Sequence, residues 1–252
     1  VSMKILITGA GGFIGKNLIS TLHTYGYTDI LYYDADTPAE KLERFCAECE
    51  FVYHLAGVNR PKTQDEFMQG NFGFTDTLLR TLLKYRNRCP VMFASSTQAA
   101  LPNLYGRSKK AGEELLFQYQ RETDAKVYVF RFPNVFGKWS KPNYNSAIAT
   151  FCYNVSHDLP ITVHDPSTLL HLAYIDDVAE ALVALLNDET TMEGPYCVVP
   201  VAYTAKLGDV AERIQSFNRI REDNVLPDMS APLTRKLYAT YVSFLPTMEF
   251  AY

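Results

Sequence analysis

The 252-residue sequence predicts an α/β fold, a doubly wound parallel sheet with a small carboxy-terminal lobe. Two observations predict this fold. Short runs rich in aliphatic and β-branched residues recur along the first half of the chain, and stretches with helical periodicity separate them. Strands that alternate with helices are joined by right-handed crossovers, which build a parallel sheet covered on both faces.

Each element follows from its local pattern. Continuous apolar runs predict buried strands, and apolar residues that recur three or four apart predict amphipathic helices. The predicted strands are residues 4–8, 30–34, 51–56, 91–96 and 127–132. The first predicted helix begins near Ile14. The other predicted helices cover residues 39–50, 75–85, 108–120 and 177–186.

A glycine-rich turn joins the first predicted strand to the first helix. Gly9, Gly12 and Gly15 follow each other at intervals of three. Glycine accepts positive φ angles and lets phosphate oxygens approach the backbone, and a helix amino terminus supplies N–H groups and partial positive charge. At the carboxyl edge of a parallel sheet, such a turn predicts a dinucleotide pyrophosphate site. Residues 1–137 are therefore predicted to be an NAD(P)-binding Rossmann core.

The second predicted strand ends in Asp34. This residue follows Gly15 by 19 positions, close to the spacing of about 20 residues expected for the carboxylate that binds the adenosine ribose. A carboxylate at this place accepts hydrogen bonds from the ribose hydroxyls and repels a 2′-phosphate. The residue therefore favours NAD over NADP.

The regular alternation weakens after residue 137. Residues 138–145, KWSKPNYN, are loop-like. Residues 138–252 are predicted to be a mixed segment that completes the sheet and forms a substrate-binding lobe.

Composition excludes several classes of protein. The net charge is −4 and the isoelectric point is near 5.8, which argues against nucleic acid as a partner because such proteins present a basic face. No apolar stretch reaches the ~18 residues of a membrane span. No secretory signal precedes the first strand. These features predict a cytoplasmic protein.

Cysteine usage agrees with that location. The five cysteines are scattered, which is typical of reduced thiols. Cys46 and Cys49 form a CxxC pair, but no second pair or histidine cluster completes a zinc site. We expect ordinary thiols and no metal.

A second group of residues predicts proton-transfer chemistry. Tyr105 and Lys109 are four apart, so they share one face of a helix. A nearby ammonium favours the phenolate and is expected to lower the pKa of Tyr105. Ser96 ends the fourth strand at the carboxyl edge of the sheet. Its hydroxyl would there contact the substrate oxygen that Tyr105 protonates. These three residues are predicted to be catalytic.

Together these motifs resemble the extended short-chain dehydrogenase/reductase family. Further similar segments are HLAG at 54–57, Asn71, RFPNVFG at 131–137 and YIDDVA at 174–179. The resemblance covers nearly the whole chain and implies additional cofactor contacts. With Gly9, Gly12, Gly15 and Asp34, the implied cofactor-binding residues are Phe13, Ile14, Leu55, Ala56, Gly57, Tyr105, Lys109 and Pro133.

Two longer runs resemble the CapF-type reductases of capsular polysaccharide synthesis. They are HLAGVNRP at 54–61 and FGKWSKPNYNS at 136–146. The resemblance implies NADPH-dependent reduction of a UDP-4-keto-6-deoxy-N-acetylhexosamine to UDP-2-acetamido-2,6-dideoxy-L-talose, in the pathway to UDP-N-acetyl-L-fucosamine. That family also carries a carboxy-terminal metal-binding cupin domain. Because the chain ends about where the cupin would begin, we expect either a reductase domain alone or a truncated piece of a longer protein.

The cofactor preference stays open at this point. The resemblance implies NADPH and a basic residue near the second strand, whereas this chain has Asp34 and Asp36 and no arginine there. Lys16 or Lys41 would then have to hold the 2′-phosphate. We predict a nicotinamide dinucleotide, either NAD or NADP.

The diphosphate of a UDP-sugar requires amide donors and cations. Asn134, Lys138 and Lys141 lie on the segment that leaves the sheet edge, and they are predicted to bind the substrate. Trp139, the only tryptophan, is expected either to flank the sugar or to pack within the lobe.

Two alternative functions remain. Dehydration is disfavoured, because Thr97 and Gln98 follow Ser96 where related dehydratases have an Asp-Glu pair. A nucleotide-sugar epimerase would use the same serine, tyrosine and lysine, so it is the first alternative. A non-catalytic dinucleotide-binding redox sensor is the alternative from another class, although Tyr105 and Lys109 are both present.

The family resemblance also implies a homodimer. Members pair two helices per subunit into a four-helix bundle, and here these would be residues 75–85 and 108–120.

Asp176 and Asp177 are predicted to cap the helix that follows them.

Overall fold

The structure is a computed structural model that describes residues 2–58, 63, 65–223 and 227–246. Asn59, Arg60 and Pro61 of the HLAGVNRP run lie outside the described residues. The chain divides into two compact units. The first comprises Val1–Phe132 and Ala179–Pro200, and the second comprises Pro133–Val178 and Val201–Tyr252.

The elements follow the predicted alternation. The strands in chain order are β1 (Ile5–Thr8), β2 (Ile30–Tyr33), β3 (Phe51–His54), β4 (Val91–Ser96), β5 (Val127–Phe132), β6 (Asn134–Phe136), β7 (Leu169–Tyr174), β8 (Thr191–Glu193), β9 (Tyr196–Val198) and β10 (Tyr203–Lys206). The helices are α1 (Phe13–Thr24), α2 (Ala39–Glu48), α3 (Asp65–Phe67), α4 (Phe74–Lys84), α5 (Leu104–Thr123), α6 (Ala147–Ser156), α7 (Ile175–Ala184), α8 (Leu207–Asp223) and α9 (Pro232–Val242). A π-helical stretch, Met68–Gly73, joins α3 to α4.

The first unit is built on a seven-stranded sheet in the order β2-β1-β3-β4-β5-β9-β8. The strands β1 to β5 and β9 pair in parallel, and β8 pairs antiparallel with β9. The predicted parallel sheet is therefore confirmed. In the sheet, β2 lies on one side of β1 and β3 lies on the other side. The end of β1 consequently lies at the point where the strand order reverses, which is where open α/β sheets bind ligands.

Helices α2, α4 and α5 pack on this sheet through a buried apolar core that includes Phe45, Leu78 and Leu116. The sulfur atoms of Cys49 and Cys89 lie 3.8 Å apart in the same core. All five cysteines are buried free thiols. Burial raises the pKa of the Cys46 thiol, so the CxxC pair is part of the packing.

The helix α5 begins four residues before its predicted start. The side-chain oxygen of Asn103 accepts a hydrogen bond from the Gly106 N–H at 2.6 Å and so caps the helix. Gly106 is close-packed, because a side chain there would overlap the carbonyl oxygen of Gln98. The cap brings Tyr105 into the first turn of α5.

The second unit holds a three-stranded sheet in the order β10-β7-β6, with β7 parallel to β6 and antiparallel to β10. Helices α6, α8 and α9 cover a core that includes Phe151, Phe217 and Leu237. Residues 179–200 belong to the first unit because β9 pairs with β5 there. The assignment of residues 138–252 to a substrate-binding lobe stays a prediction.

Across the part of the chain that the structure describes, no helix combines the length and the apolar character needed to cross a bilayer.

Candidate active site

The glycine turn between β1 and α1 is close-packed on one side and open on the other. Gly9 has a φ of +71°, and a Cβ atom there would lie 2.7 Å from the backbone nitrogen of Ala56. A side chain on Gly15 would overlap the carbonyl oxygen of Gly9. Gly11 and Gly12 are exposed, and Gly12 is the N-cap of α1. The turn therefore presents bare backbone at a helix amino terminus.

The carboxylate of Asp34 lies against this turn. The Gly11 N–H donates to both carboxylate oxygens at 3.1 Å. The Asp34 N–H donates to the hydroxyl of Thr37 at 2.9 Å, which holds the end of β2 in place. Lys16 and Lys41, the two lysines considered for a 2′-phosphate, are exposed.

Tyr105 and Ser96 come together at the carboxyl edge of the sheet. Ser96 ends β4, and Tyr105 lies in the first turn of α5. Burial raises the pKa of Tyr105, and the nearby Ser96 hydroxyl partly opposes that rise. The expected lowering of this pKa is therefore wrong, because desolvation of the phenolate outweighs the other contributions.

Lys109 lies one helical turn beyond Tyr105 and is only 4% exposed. Its ammonium donates to the carbonyl oxygen of Ala94 at 3.0 Å and lies 5.9 Å from the centre of the Tyr105 ring. Burial lowers the pKa of Lys109 to about 8, and the negative charge of Glu113 opposes that shift. A Cβ atom on Gly57 would lie 2.9 Å from the ammonium nitrogen, so a side chain there would require the ammonium to move.

Glu113, one further turn along α5, completes a buried ionic cluster. Arg131 donates to its two carboxylate oxygens at 2.9 and 2.7 Å. The Ser95 hydroxyl donates to the same carboxylate at 2.5 Å. Sequence reasoning missed Glu113, although its spacing of four from Lys109 was a usable signal. The cluster ties α5 to β4 and β5 at the sheet edge where Ser96 and Tyr105 lie.

A chain of buried hydrogen bonds runs through His54, which ends β3. The Thr75 hydroxyl donates to the carbonyl oxygen of Asn71 at 2.7 Å, so it accepts from His54 Nε2–H at 2.8 Å. His54 Nδ1 then accepts from the Thr8 hydroxyl at 2.7 Å, and that hydroxyl accepts from the Ala56 N–H at 3.3 Å. Burial and the nearby Lys109 charge lower the pKa of His54 to about 3, so the imidazole is neutral.

The buried side chain of Asn71 joins the loop after β3 to α5. Its amide donates to the Val58 carbonyl and to the Ser108 hydroxyl, each at 3.0 Å, and its oxygen accepts from the Val58 N–H at 2.9 Å. Ser108 donates in turn to the carbonyl oxygen of Tyr105 at 2.7 Å. The π-helical stretch places Asn71 between the two elements, next to Lys109.

The predicted substrate-binding residues belong to the second unit. Asn134 on β6 is exposed, and Lys141 is exposed beside Tyr144. The Lys138 ammonium lies 3.5 Å from an Asp176 carboxylate oxygen. Pro133, the implied cofactor contact, also belongs to the second unit. Their part in binding stays a prediction.

Two further expectations about the second unit are corrected. Asp176 and Asp177 lie inside the first turn of α7 and do not cap it, because the helix already begins at Ile175. Asp177 accepts instead from the Lys236 ammonium at 2.6 Å. The indole of Trp139 is 53% exposed, so it does not pack within the lobe.

Comparison with known proteins adds the following findings. The model of the NAD dependent epimerase/dehydratase family matches residues 5–198. The UDP-2-acetamido-2,6-beta-L-arabino-hexul-4-ose reductase of Pseudomonas aeruginosa is 39% identical over 250 residues, which cover 99% of this chain and 67% of that protein. The crystal structure of the capsular polysaccharide assembling protein CapF from Staphylococcus aureus matches with a TM-score of 0.90 and 40% identity, over 99% of this chain and 68% of that one.

A third match extends only to the fold. The UDP-glucuronic acid 4-epimerase of Bacillus cereus, in complex with NAD, has a TM-score of 0.80 at 18% identity, over 96% of both chains. The present chain thus spans nearly the full length of that epimerase and about two thirds of the length of the P. aeruginosa reductase and of CapF.

Proposed function

The chain belongs to the NAD dependent epimerase/dehydratase family, and on that premise we propose that it reduces the 4-keto group of a UDP-4-keto-6-deoxy-N-acetylhexosamine with NADH or NADPH. The pathway would be UDP-N-acetyl-L-fucosamine synthesis for capsular or other surface polysaccharide. One observation carries the proposal: the Ser96 hydroxyl lies near Tyr105, a buried Lys109 follows one helical turn later, and no acidic pair follows Ser96. The names of the P. aeruginosa reductase and of CapF support the substrate class.

The glycine turn fits a nicotinamide dinucleotide. Side chains at Gly9 or Gly15 would collide with backbone atoms, while Gly11 and Gly12 leave the amino end of α1 open to phosphate. The chemistry supplied by a bound reduced nicotinamide is hydride donation. The residues proposed to hold the dinucleotide are Gly9, Gly12, Phe13, Ile14, Gly15, Asp34, Leu55, Ala56, Gly57, Tyr105, Lys109 and Pro133.

Tyr105 is the proposed general acid. Its hydroxyl proton goes to the substrate oxygen that gains negative charge as the C4 carbonyl is reduced, and the Ser96 hydroxyl donates a hydrogen bond to the same oxygen. The raised pKa of Tyr105 keeps this proton in place at neutral pH. Preformed donors aimed at a developing oxyanion are among the largest contributions to catalysis.

Lys109 is proposed to stabilise the tyrosinate that forms. Its ammonium is fixed by the Ala94 carbonyl close to the Tyr105 ring. Because its pKa is about 8, the group is largely protonated at neutral pH. Glu113 favours the charged form and, through Arg131 and Ser95, holds α5 against the sheet.

Asp34 and the family resemblance favour different cofactors. The Asp34 carboxylate, held by Gly11, favours the free ribose hydroxyls of NAD, whereas the CapF-type resemblance favours NADPH. Titration with both reduced forms separates them. A preference for NADPH greater than about tenfold, roughly 1.4 kcal/mol, would contradict selection of NAD by Asp34.

Asn134, Lys138 and Lys141 are proposed to bind the UDP diphosphate. An exposed amide and two lysine ammonium groups within eight residues supply the donors and positive charge that phosphate oxygens require. The Asp176 carboxylate near Lys138 would orient that ammonium while reducing its net charge.

The homodimer is proposed through α4 and α5, which pack against each other. The outer face of α5 exposes Lys110 and Glu114, whose opposite charges would pair across a two-fold axis. Sedimentation at micromolar concentration tests this proposal, and a monomer would contradict it. A cytoplasmic location is proposed from the five buried free thiols.

The direct test of the reaction is to incubate the protein with the UDP-4-keto sugar and each reduced cofactor. A reductase consumes one reduced cofactor for each product molecule, and the nicotinamide absorbance falls accordingly. A nucleotide-sugar epimerase would convert substrate without net oxidation of cofactor. A redox sensor would bind the cofactor and leave it unoxidised with every sugar nucleotide.

A further inference from the structure

Trp139 has a backbone conformation that tryptophan rarely adopts. Its φ is +68°, in the left-handed region. It is the third residue of a tight turn in which the Ser140 N–H and hydroxyl both donate to the Gly137 carbonyl oxygen, at 3.3 and 2.6 Å. Ser140 is buried, so the turn is fixed from within. Glycine or asparagine is the favourable residue at such a position.

The side chain of Trp139 is only partly packed. The residue is 53% exposed, so much of its surface faces solvent. The Lys138 ammonium lies 5.4 Å from the ring centre. Residues held in strained backbone conformations cluster at functional sites.

The surroundings of the indole indicate the kind of ligand. The Lys138 ammonium lies near the indole, Lys141 follows Trp139 by two positions, and the Asp176 carboxylate balances part of the Lys138 charge. An aromatic face next to ammonium groups is complementary to a molecule that joins an apolar ring face to phosphate. A UDP-sugar has this chemistry. The 6-deoxy and N-acetyl methyl groups make the proposed hexosamine more apolar than ordinary sugars.

We infer that Trp139 is a substrate-binding residue whose indole contacts the sugar ring of the nucleotide sugar, while the neighbouring lysines contact its diphosphate. This inference rests on the proposed function and deepens it. It also explains why a stabilising residue does not occupy the turn: the strain keeps the indole exposed for the ligand.

Intrinsic fluorescence gives a direct readout, because Trp139 is the only tryptophan in the chain. We expect UDP-N-acetylglucosamine, an unreactive probe with an N-acetylated sugar, to change the emission, and UDP and UMP to leave it nearly unchanged. No change with any of the three, or an equal change with UDP or UMP, would overturn contact with the sugar. Because the probe is not turned over, the outcome does not depend on catalysis. A protein that responds but never oxidises cofactor would contradict only the proposed reaction.

Two substitutions separate binding from folding. Trp139→Asn should raise the melting temperature, because asparagine tolerates positive φ, and should weaken binding of UDP-N-acetylglucosamine by about tenfold in calorimetry while leaving UDP binding unchanged. Trp139→Phe should retain most of the affinity. Leu159→Asn, which removes a comparably exposed apolar side chain of the second unit, should leave binding unchanged. Unaltered affinity in Trp139→Asn would also overturn the inference.

Discussion

The two compact units hold their site residues in opposite environments. In the first unit Lys109, Glu113 and His54 are almost completely buried, and each makes hydrogen bonds to partners on other elements. In the second unit Trp139 and Lys141 are exposed on a loop. The difference matches the two tasks proposed for them. Proton transfer requires fixed positions and shifted pKa values, whereas substrate binding requires side chains that face solvent until the ligand arrives.

Buried and exposed site residues differ in what a substitution costs. A buried polar group that loses its partner keeps its desolvation cost, which is about 1–3 kcal/mol and more for a charge. Exposed groups lose little when a neighbour is removed, since water replaces it. Substitutions in the first-unit site should therefore change stability or the chemical step. Substitutions in the second-unit site should change substrate affinity and leave the chemical step unchanged.

The largest effect is expected for Tyr105→Phe. The change removes one hydroxyl near Ser96 and leaves the ring packed near Phe67. Loss of a general acid typically costs about 10²–10⁴ in rate. We expect the single-turnover rate constant to fall by that factor while the reduced cofactor still binds and the melting temperature stays close to wild type. Near-normal turnover with the cofactor bound would remove Tyr105 from the mechanism.

Glu113→Gln should produce the largest loss of stability. It removes the charge that pairs with Arg131, whose side chain is only 21% exposed. Breaking a buried ion pair typically costs about 3–5 kcal/mol, and the partial exposure of Arg131 places the expected loss near the lower value. Urea denaturation measures it. The matched control is Glu122→Gln, an exposed glutamate of α5 that can keep its hydrogen bond with Gln118, and it should change stability by less than about 0.5 kcal/mol. Equal midpoints for the two variants would refute the role of the cluster.

Lys109→Met should reveal the cost of the buried ammonium as a function of pH. The pKa of Lys109 is about 8 in the folded protein against an ordinary value of 10.5. Between these two values the unfolded chain binds more protons, so this group makes the wild type more stable as pH rises. Below pH 8 both states are protonated and the cost is fully present.

We therefore expect the stability of wild type relative to Lys109→Met to increase between pH 8 and 10.5, by up to roughly 3 kcal/mol. Taking the difference between the two proteins cancels the titration of groups that both contain. A difference that does not vary with pH would mean that the Lys109 ammonium is not held in a desolvated position.

The smallest effect is expected for Lys141→Ala in the second unit. The side chain is exposed, so folding should not change. Loss of one proposed diphosphate contact should raise the KM for the UDP-sugar several-fold, about 1 kcal/mol, and leave kcat unchanged. Steady-state kinetics with a parallel melting curve check this. A fall in kcat without a rise in KM would contradict the assignment of Lys141 to substrate binding.

Local patterns predicted the fold and pointed to the residues now proposed as catalytic. The glycine spacing, the strand that ends at Ser96 and the four-residue interval from Tyr105 to Lys109 each lie within a short stretch of sequence. Each of these features depends on one turn, one strand end or one helix face, so the local sequence is enough to predict it. The start of α5 was misplaced because the cap at Asn103 lies outside the apolar pattern.

Long-range contacts and burial could not be predicted in the same way. The His54 chain joins Thr8 to Asn71 through partners 46 and 21 residues away in sequence. The pKa of Tyr105 moved opposite to expectation because desolvation depends on the packed structure, which a spacing does not reveal. The exposure of Trp139 is likewise a property of the folded turn.

The central claim is that Ser96, Tyr105 and Lys109 carry out a net reduction of the sugar. The most direct measurement is a single turnover of the UDP-4-keto sugar with reduced cofactor that carries deuterium at the transferred position, followed by mass analysis of the sugar product. The account predicts one deuterium in each product molecule, one oxidised cofactor released for each, and far slower labelling with Tyr105→Phe. An isomerised sugar without deuterium, formed while the added cofactor keeps its label, would contradict it.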